Sequence, residues 1–213
     1  MRSAADALDH LLIGAPTLDD GIAWLEERTG VRAVIGGSHP GLGTWNALAS
    51  LGPRQYVEII APDPAQPGVP TFDVPGLREF PTPRIAAWAA RGEQLEGIAG
   101  RLPENLTCAA PRQGSRVRPD GTRLAWTLAF PKDHRHGAYT GVLPFLIEWE
   151  SDEAHPGRST PSGLRPGSLS LRHPEREALE KALCSLGIEA NVQAAAEPQI
   201  QVELETPRGL VRL

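Results

Sequence analysis

A histidine and a glutamate stand in two strands that the sequence predicts in the N-terminal third of the chain. His10 lies in a mainly apolar stretch, residues 8–13, and Glu58 lies in residues 55–60, where it shares one strand face with Tyr56. A carboxylate on an inward strand face is costly unless it is paired or bound to a metal, so Glu58 needs a partner, and His10 is the obvious candidate. Such a pair could act as a general base that removes a proton next to a carbonyl.

A glycine-rich loop at residues 36–43 and the strand predicted at residues 44–51 add further polar groups. His39 lies in the loop, and Thr44 and Asn46 share one face of the strand. These groups could line a cup and orient an oxygen-rich ligand, or they could satisfy backbone groups of a tight turn; both interpretations stay open. The Gly-x-Gly of the loop precedes a strand and no helix, so we predict no nucleotide cofactor.

The other histidines carry weaker signals. His134 and His136 follow Asp133 with the spacing of a metal chelate, but no third ligand is near in sequence, and we interpret them as part of a solvated loop. His155 and His173 lie beside prolines at predicted loop or helix edges, and we assign them no role.

Three repeats of the element order β-α-β-β-β must position these residues. The first two units lie at about residues 6–61 and 84–150. The similar sequences DGIA at residues 20–23 and EGIA at residues 96–99 give the alignment between them. We therefore predict an α+β fold. Residues 1–150 form its paired core, residues 151–166 form a linker loop, and residues 167–213 form a third unit packed on the core.

Local signals fix the elements within these units. Thr17 and Gly30 are predicted to cap a helix at residues 18–30, and Pro174 is predicted to begin a helix at residues 174–186. In the second unit we predict a helix with an apolar stripe and a following strand at residues 107–111. The stripe comprises Leu95, Ile98, Ala99 and Leu102.

The proline-rich stretch at residues 61–83 is predicted to be a long connection. Its predicted hydrophobic anchors are Phe72, Leu77 and Phe80.

Composition limits the partners. Hydrophobic residues make up 40% and charged residues 22% of the chain, which is typical of a soluble globular protein. The net charge of −5 argues against nucleic acid and membrane surfaces as partners, because phosphate groups bind basic faces. No signal-peptide or spanning pattern is seen, and Cys108 and Cys184 are predicted to be buried free thiols, so we expect a cytoplasmic protein.

Four stretches resemble the glyoxalase-like domain proteins of the vicinal oxygen chelate superfamily. They are LDHLLIG at residues 8–14, GGSHPGLGTWN at residues 36–46, YVEIIAP at residues 56–62 and LPFLIEW at residues 143–149. The resemblance implies mixed sheets curled around a cup-shaped pocket that holds a divalent metal. Carried over by motif, the metal ligands are His10, Glu58 and Glu148, which suit Zn, Mn, Ni or Fe.

The fourth ligand position departs from the superfamily pattern. In the second unit, the residue that matches His10 is Ala86, and Trp88 matches Leu12, so an indole would enter the cup. Trp88 thereby joins the predicted substrate-binding residues of the cup, which are His39, Thr44, Asn46 and Tyr56. Three ligands could still hold a metal, and a metal-free binding cup fits equally; both interpretations stay open.

The resemblance implies a protein that acts on a small molecule. As an enzyme it would be a lyase or isomerase with a carbonyl or vicinal-oxygen substrate, and Glu58 would be its base. The alternative is a non-catalytic protein that binds or sequesters its ligand, which Trp88 in place of a metal ligand favours. An extradiol-type dioxygenase would need a histidine in the first strand of the second unit, which is lacking. Relatives are commonly dimeric, so a homodimer is expected unless three internal units complete the architecture in one chain.

Overall fold

The computed structural model describes residues 1–71, 74, 76–100, 106, 108–117, 121–132 and 139–213. The chain divides into two compact units, which we name after one residue in each. The Glu58 unit comprises residues 10–87, 156–167 and 203–213. The Trp88 unit comprises residues 1–9, 88–155 and 168–202.

Short strands dominate both units. In chain order, the strands are β1 (Arg2–Ser3), β2 (Leu8–Gly14), β3 (Val34–His39), β4 (Thr44–Gly52), β5 (Gln55–Pro62), β6 (Arg84–Arg91), β7 (Arg112–Val117), β8 (Arg123–Ala129), β9 (Phe145–Trp149), β10 (Arg165–His173), β11 (Ile188–Glu189), β12 (Asn191–Ala194), β13 (Gln199–Thr206) and β14 (Gly209–Arg212). The α-helices are α1 (Ala4–Ala7), α2 (Leu18–Thr29) and α3 (Arg176–Ser185), and 3₁₀ helices occupy Leu77–Glu79, Leu95–Gly100 and Pro156–Arg158.

The Glu58 unit contains the first β-α-β-β-β repeat. Its strands lie in the order β3-β4-β5-β2, with β2 parallel to β5 and the other neighbours antiparallel. His10 lies opposite Tyr56 on the neighbouring strand, and Glu58 lies opposite Leu48. Because side chains alternate along a strand, one face of this mixed sheet carries His10, Asn46 and Glu58 together. The predicted β-α-β-β-β order of elements along the chain is confirmed for this unit.

Helix α2 covers the opposite face of that sheet, and its predicted caps are confirmed. The Thr17 hydroxyl accepts a hydrogen bond from the Asp20 N–H, and Gly30 ends the helix in the left-handed region at φ 79°. The helix packs on β4 and β5. Gly21 is the point of closest approach, because a Cβ placed there would lie 2.3 Å from Ile59 Cγ2.

One strand of the first repeat differs from its prediction. The apolar run at residues 31–35 predicts a short strand, whereas the strand of the structure, β3, begins at Val34 and extends through the glycine-rich segment to His39. Pairing with β4 accounts for the shift, since His39 lies opposite Thr44 in an antiparallel ladder. The predicted loop is thereby reduced to the turn at residues 40–43.

The Trp88 unit contains the second repeat, with strands in the order β6-β9-β8-β7. Strands β6 and β9 are parallel, and the other neighbours are antiparallel. A 3₁₀ helix at Leu95–Gly100 replaces the predicted α-helix, and its two glycines are poor helix formers. Leu102 of the predicted stripe lies outside the described residues.

The strand predicted at residues 107–111 was wrong. Thr107 lies outside the described residues, Cys108 forms an isolated bridge with Pro131, and the strand is instead β7, which begins after Pro111. Pro111 has no N–H for a sheet ladder, whereas Gly114 lets Trp126 of β8 lie across β7. A Cβ at Gly114 would lie 2.6 Å from the Trp126 indole nitrogen.

The C-terminal segment contributes to both units. Strands β10 and β12 are parallel over residues 170–173 and 191–194 in the Trp88 unit, whereas β13 and β14 form an antiparallel hairpin over residues 203–212 in the Glu58 unit. Helix α3 begins at Arg176, two residues after the predicted Pro174, because the His173 Nδ1 accepts the Glu175 N–H. That residues 167–213 act as a third unit, and the domain boundaries with it, stay predictions.

Parts of both connecting segments are anchored in the Glu58 unit. Leu77 and Phe80 are buried against Gly14, as predicted for the connection at residues 61–83, and Phe72 lies outside the described residues. In the segment at residues 151–166, the Gly157 carbonyl accepts the hydroxyl of Ser50 on β4. The Pro161 carbonyl also accepts the Ser50 N–H, so the predicted linker loop is tied to β4 at Gly157 and Pro161.

Cys108 and Cys184 were both predicted to be buried free thiols. Both cysteines are free; Cys108 is buried, and burial raises the pKa of its thiol to about 11, which makes it a poor nucleophile. The prediction of burial was wrong for Cys184, which is exposed at the end of α3.

Within the described ranges, no helix is long and apolar enough to cross a membrane.

The close approach at Gly21 gives a stability prediction. Gly21→Val is expected to lower the free energy of unfolding by about 2 kcal/mol, because the added methyl groups overpack the contact with Ile59. Gly97→Val is the control, since a Cβ at Gly97 meets nothing within 4 Å. Urea denaturation measures both variants, and an equal effect at the two positions would contradict the packing of α2 on the sheet.

Candidate functional site

Six of the predicted site residues lie together in the Glu58 unit. Strands β2 to β5 supply them, and the register described above brings their side chains to one sheet face. We name this group the Glu58 cluster, and it comprises His10, His39, Thr44, Asn46, Tyr56 and Glu58. The other two predicted site residues, Trp88 and Glu148, belong to the Trp88 unit.

Glu58 is the centre of the cluster. Its Oε1 accepts a 2.7 Å hydrogen bond from the Asn46 side-chain amide. The His10 Nε2 lies 3.5 Å from Oε2, and the His39 Nε2 lies 3.9 Å from Oε1. Glu58 is 8% exposed, so its carboxylate is largely removed from water and is oriented chiefly by Asn46.

His10 is held by the strand next to it. Its ring stacks on Tyr56, with centroids 4.6 Å apart and planes at 23°. Both side chains are buried, at 3% and 4% exposure. Tyr56 therefore fixes the plane of the imidazole, which points its Nε2 towards Glu58.

The ring of His39 is held by Thr44, the first residue of β4. Its Nδ1 lies 2.9 Å from the Thr44 hydroxyl, which can donate or accept according to the tautomer. Thr44 is fully buried, whereas the His39 side chain keeps 17% of its surface exposed. Thr44 thus orients the ring of His39, whose other nitrogen faces Glu58.

The cluster has the parts of an acid–base site. A buried carboxylate can accept a proton, and two imidazoles within 4 Å of it can donate or relay one. Among the described residues, the ion-pair partners of Glu58 are both histidines, so no arginine or lysine neutralises its charge. His39 and Glu58 keep partly exposed surface, which places the reachable edge of the site beside His39.

Glu148 makes contacts that differ from those of a metal ligand. Its Oε1 accepts the N–H of Gln94 and its Oε2 accepts the N–H of Leu95, both at 2.9 Å. These are the first donors of the 3₁₀ helix at Leu95–Gly100, which would otherwise have no intrahelical partner. Glu148 therefore caps that helix.

Among the residues that the structure describes, the predicted metal ligands are divided between His10 and Glu58 in the Glu58 unit and Glu148 in the Trp88 unit. In those residues, no group of three or more His, Cys, Asp or Glu side chains is placed to hold a metal ion. The oxygens of Glu148 already accept backbone hydrogen bonds, so the described donors do not fit a three-ligand site. His134 and His136 lie outside the described residues.

Trp88 lies in the core of its unit. Its side chain is fully buried, and its indole N–H donates a 2.8 Å hydrogen bond to the Val142 carbonyl. A tryptophan with both its ring and its polar atom satisfied in this way packs a core. This environment offers no exposed surface for the predicted contact of Trp88 with a substrate.

A buried polar group that the sequence did not indicate occurs in the Trp88 unit. Asp9 has no exposed surface, and its Oδ2 lies 3.2 Å from the His155 Nε2 and accepts the Trp149 indole N–H at 3.1 Å. His155, to which we assigned no role, is 1% exposed. The two residues are 146 positions apart in the sequence, which explains why no local pattern could reveal the pair.

The contacts of Glu148 give a test of its role. Glu148→Ala is expected to lower the free energy of unfolding by about 1 kcal/mol through loss of the cap, and to leave the metal content of the purified protein unchanged. Glu150→Ala is the control, because Glu150 forms an exposed pair with Arg123 that contributes little. Loss of bound metal in Glu148→Ala, measured by elemental analysis, would contradict the assignment and restore the predicted metal set.

Solved structures with low sequence identity align with this chain. A hypothetical protein from Staphylococcus aureus aligns with a TM-score of 0.64 at 16% identity, over 96% of this chain and 84% of that chain. Methylmalonyl-CoA epimerase from Mycobacterium tuberculosis aligns with a TM-score of 0.41 at 20% identity, over 70% of this chain and 90% of that chain. The Streptomyces coelicolor epimerase aligns with a TM-score of 0.44 at 15% identity, over 68% and 98%. At 16% identity, the likeness to the Staphylococcus aureus protein concerns the fold alone.

Comparison with sequences identifies the family. A search of curated proteins gives no match. The glyoxalase-like domain family matches residues 8–187, which include both β-α-β-β-β repeats and every predicted site residue. The chain has the α+β architecture of mixed sheets and few helices that the resemblance implied. It belongs to the glyoxalase-like domain family.

Proposed function

We propose that the Glu58 cluster removes a proton from a carbon next to a carbonyl group in a small, oxygen-rich substrate. The observation that carries the proposal is the environment of Glu58, a largely buried carboxylate oriented by Asn46 and faced by two imidazoles. A buried carboxylate lowers the stability of a fold unless its charge is compensated. Among the described residues Glu58 has no arginine or lysine partner, so a role in chemistry accounts for it better than a role in stability.

In this proposal each residue of the cluster has one role. Oε2 of Glu58 takes the proton, because Oε1 is engaged by Asn46. The C–H bond breaks, its electron pair moves into the carbonyl, and an enolate forms. An imidazole N–H of His10 or His39 stabilises the enolate oxygen, where charge develops. Return of the proton to another carbon or face gives an isomerase, and departure of a β-substituent gives a lyase.

No step of the proposal passes through a metal. The described donors do not form a three-ligand set, and Glu58 has its hydrogen-bond partner within the protein. By this proposal the ligand is a small molecule.

The two free cysteines support a location in a reducing compartment such as the cytoplasm. That the protein forms a homodimer also remains a prediction.

The alternative is a protein that binds its ligand without turnover. One observation favours it: the second repeat has Ala86 where the superfamily pattern has a metal ligand, and the neighbouring Trp88 is committed to the core. A binding protein would use Asn46 and His39 as hydrogen-bonding groups, and Glu58 would serve only to hold Asn46 in place.

Hydrogen exchange separates the two functions. The protein in D₂O is incubated with a 2-oxo acid, a 2-hydroxy ketone and an acyl thioester, and C–H to C–D exchange is followed by NMR. We expect exchange in at least one of these probes, and Glu58→Gln is expected to slow it by about 100-fold or more, because the amide cannot accept the proton.

The control for this test is Glu205→Gln, which changes an exposed carboxylate of β13 and is expected to retain the exchange rate of the unaltered protein. Exchange that is equally fast in Glu58→Gln would contradict the proposal. Saturable binding of a probe with no exchange in any variant would support the binding function instead.

A further inference from the structure

Asp63, which follows β5, forms a network that the sequence did not indicate. It is 3% exposed, and its Oδ2 accepts the Ser38 hydroxyl at 2.5 Å and the Gln66 side-chain amide at 2.8 Å. Its Oδ1 accepts the Ala65 N–H at 2.9 Å. The Ser38 hydroxyl, and then the Gln66 amide, hold the pKa of Asp63 below its ordinary value of 3.8. The carboxylate is thus matched to donors on both oxygens.

Gln66 connects this carboxylate to the turn between β3 and β4. Its Nε2 also donates to the His39 carbonyl at 3.1 Å, and its Oε1 accepts the Gly41 N–H at 2.8 Å. Because both ends of the amide are engaged, it has one orientation that satisfies every partner. The main chain on either side of His39 is therefore tied to one side chain.

The backbone of the same segment lies against the turn. The Asp63 N–H donates to the Gly43 carbonyl at 2.9 Å. Gly43 has φ +68°, and a Cβ there would lie 2.4 Å from the Val69 carbonyl oxygen. Residues 63–69 thus form a clamp on the turn, which we name the Asp63 clamp.

We propose that Asp63 and Gln66 are positioning residues that fix His39 against Glu58. The clamp holds the main chain of His39 through Gln66, and Thr44 holds its ring through Nδ1. Together they direct the His39 Nε2 towards the Glu58 carboxylate. The consequence for proton transfer rests on the proposed function, whereas the consequence for the His39 ring does not.

The test variant is Asp63→Asn. Both oxygens of Asp63 accept hydrogen bonds, whereas asparagine has one oxygen and one amide nitrogen. The nitrogen is a donor and cannot accept, so at least one of the present donors loses its acceptor. The Gln66 amide cannot turn to compensate without losing the Gly41 N–H. Gln66→Ala removes the same link from its other end and serves as the second variant. Ser50→Ala is the control, since it removes a buried hydroxyl bonded to Gly157, at the other end of β4.

The readout is the ¹⁵N NMR shift of each histidine ring, assigned with His10→Gln and His39→Gln. In the unaltered protein, a fixed tautomer is expected to keep the two ring-nitrogen shifts of His39 far apart. In Asp63→Asn and Gln66→Ala they are expected to move towards their mean, because the ring samples both tautomers, while the His10 shifts stay constant. Ser50→Ala is expected to change neither ring.

Two results would overturn the proposal. One is a folded Asp63→Asn or Gln66→Ala protein with unchanged His39 shifts. The other is an equal change at His10 and His39, which would indicate a general loss of structure. If Asp63→Asn does not fold, Gln66→Ala decides by the same criterion. With a probe that exchanges, the clamp variants are expected to lower kcat by about 10- to 100-fold with little change in KM. If the exchange test at Glu58 fails, the NMR shifts still test whether Asp63 and Gln66 fix the ring of His39.

Discussion

The hydrogen bond between Asn46 and Glu58 is the interaction on which the candidate site depends. It joins neighbouring antiparallel strands and orients a carboxylate that is 8% exposed. A buried carboxylate without a partner is strongly unfavourable, so its surroundings must supply donors. Here the surroundings are one amide and two imidazoles, which leave the charge of Glu58 without a permanent counter-ion among the described residues. That balance suits a group that accepts and releases a proton.

The sheet supplies the geometry, and the segments around it supply the rigidity. Parallel pairing of β2 with β5 stacks His10 on Tyr56, and antiparallel pairing of β3 with β4 sets His39 beside Thr44. Helix α2 covers the other face, so the strands cannot rotate without breaking its contact at Ile59. The Asp63 clamp then fixes the turn between β3 and β4. Each polar side chain of the cluster is therefore held by at least one neighbour.

Sequence patterns predicted the first repeat well because its determinants are local. Alternation along short strands grouped Asn46 with Thr44 and Glu58 with Tyr56, and caps defined α2. The patterns failed where long-range contacts decide. Glu148 has the position of a ligand in the superfamily pattern, yet its partners are two backbone N–H groups 53 and 54 residues away. Asp63 and Gln66 lie in a proline-rich segment without periodicity, and nothing local shows that their partners are in the turn at His39.

The most direct test of a functional rather than a structural role for Glu58 is the free energy of unfolding of Glu58→Gln. The glutamine keeps a carbonyl oxygen for Asn46 and removes a buried charge, so we expect stability equal to or above that of the unaltered protein. A residue kept for chemistry behaves in this way, because the fold does not need its charge. A loss of more than about 2 kcal/mol, measured by urea denaturation at neutral pH, would show that the carboxylate holds the fold together and would contradict the account.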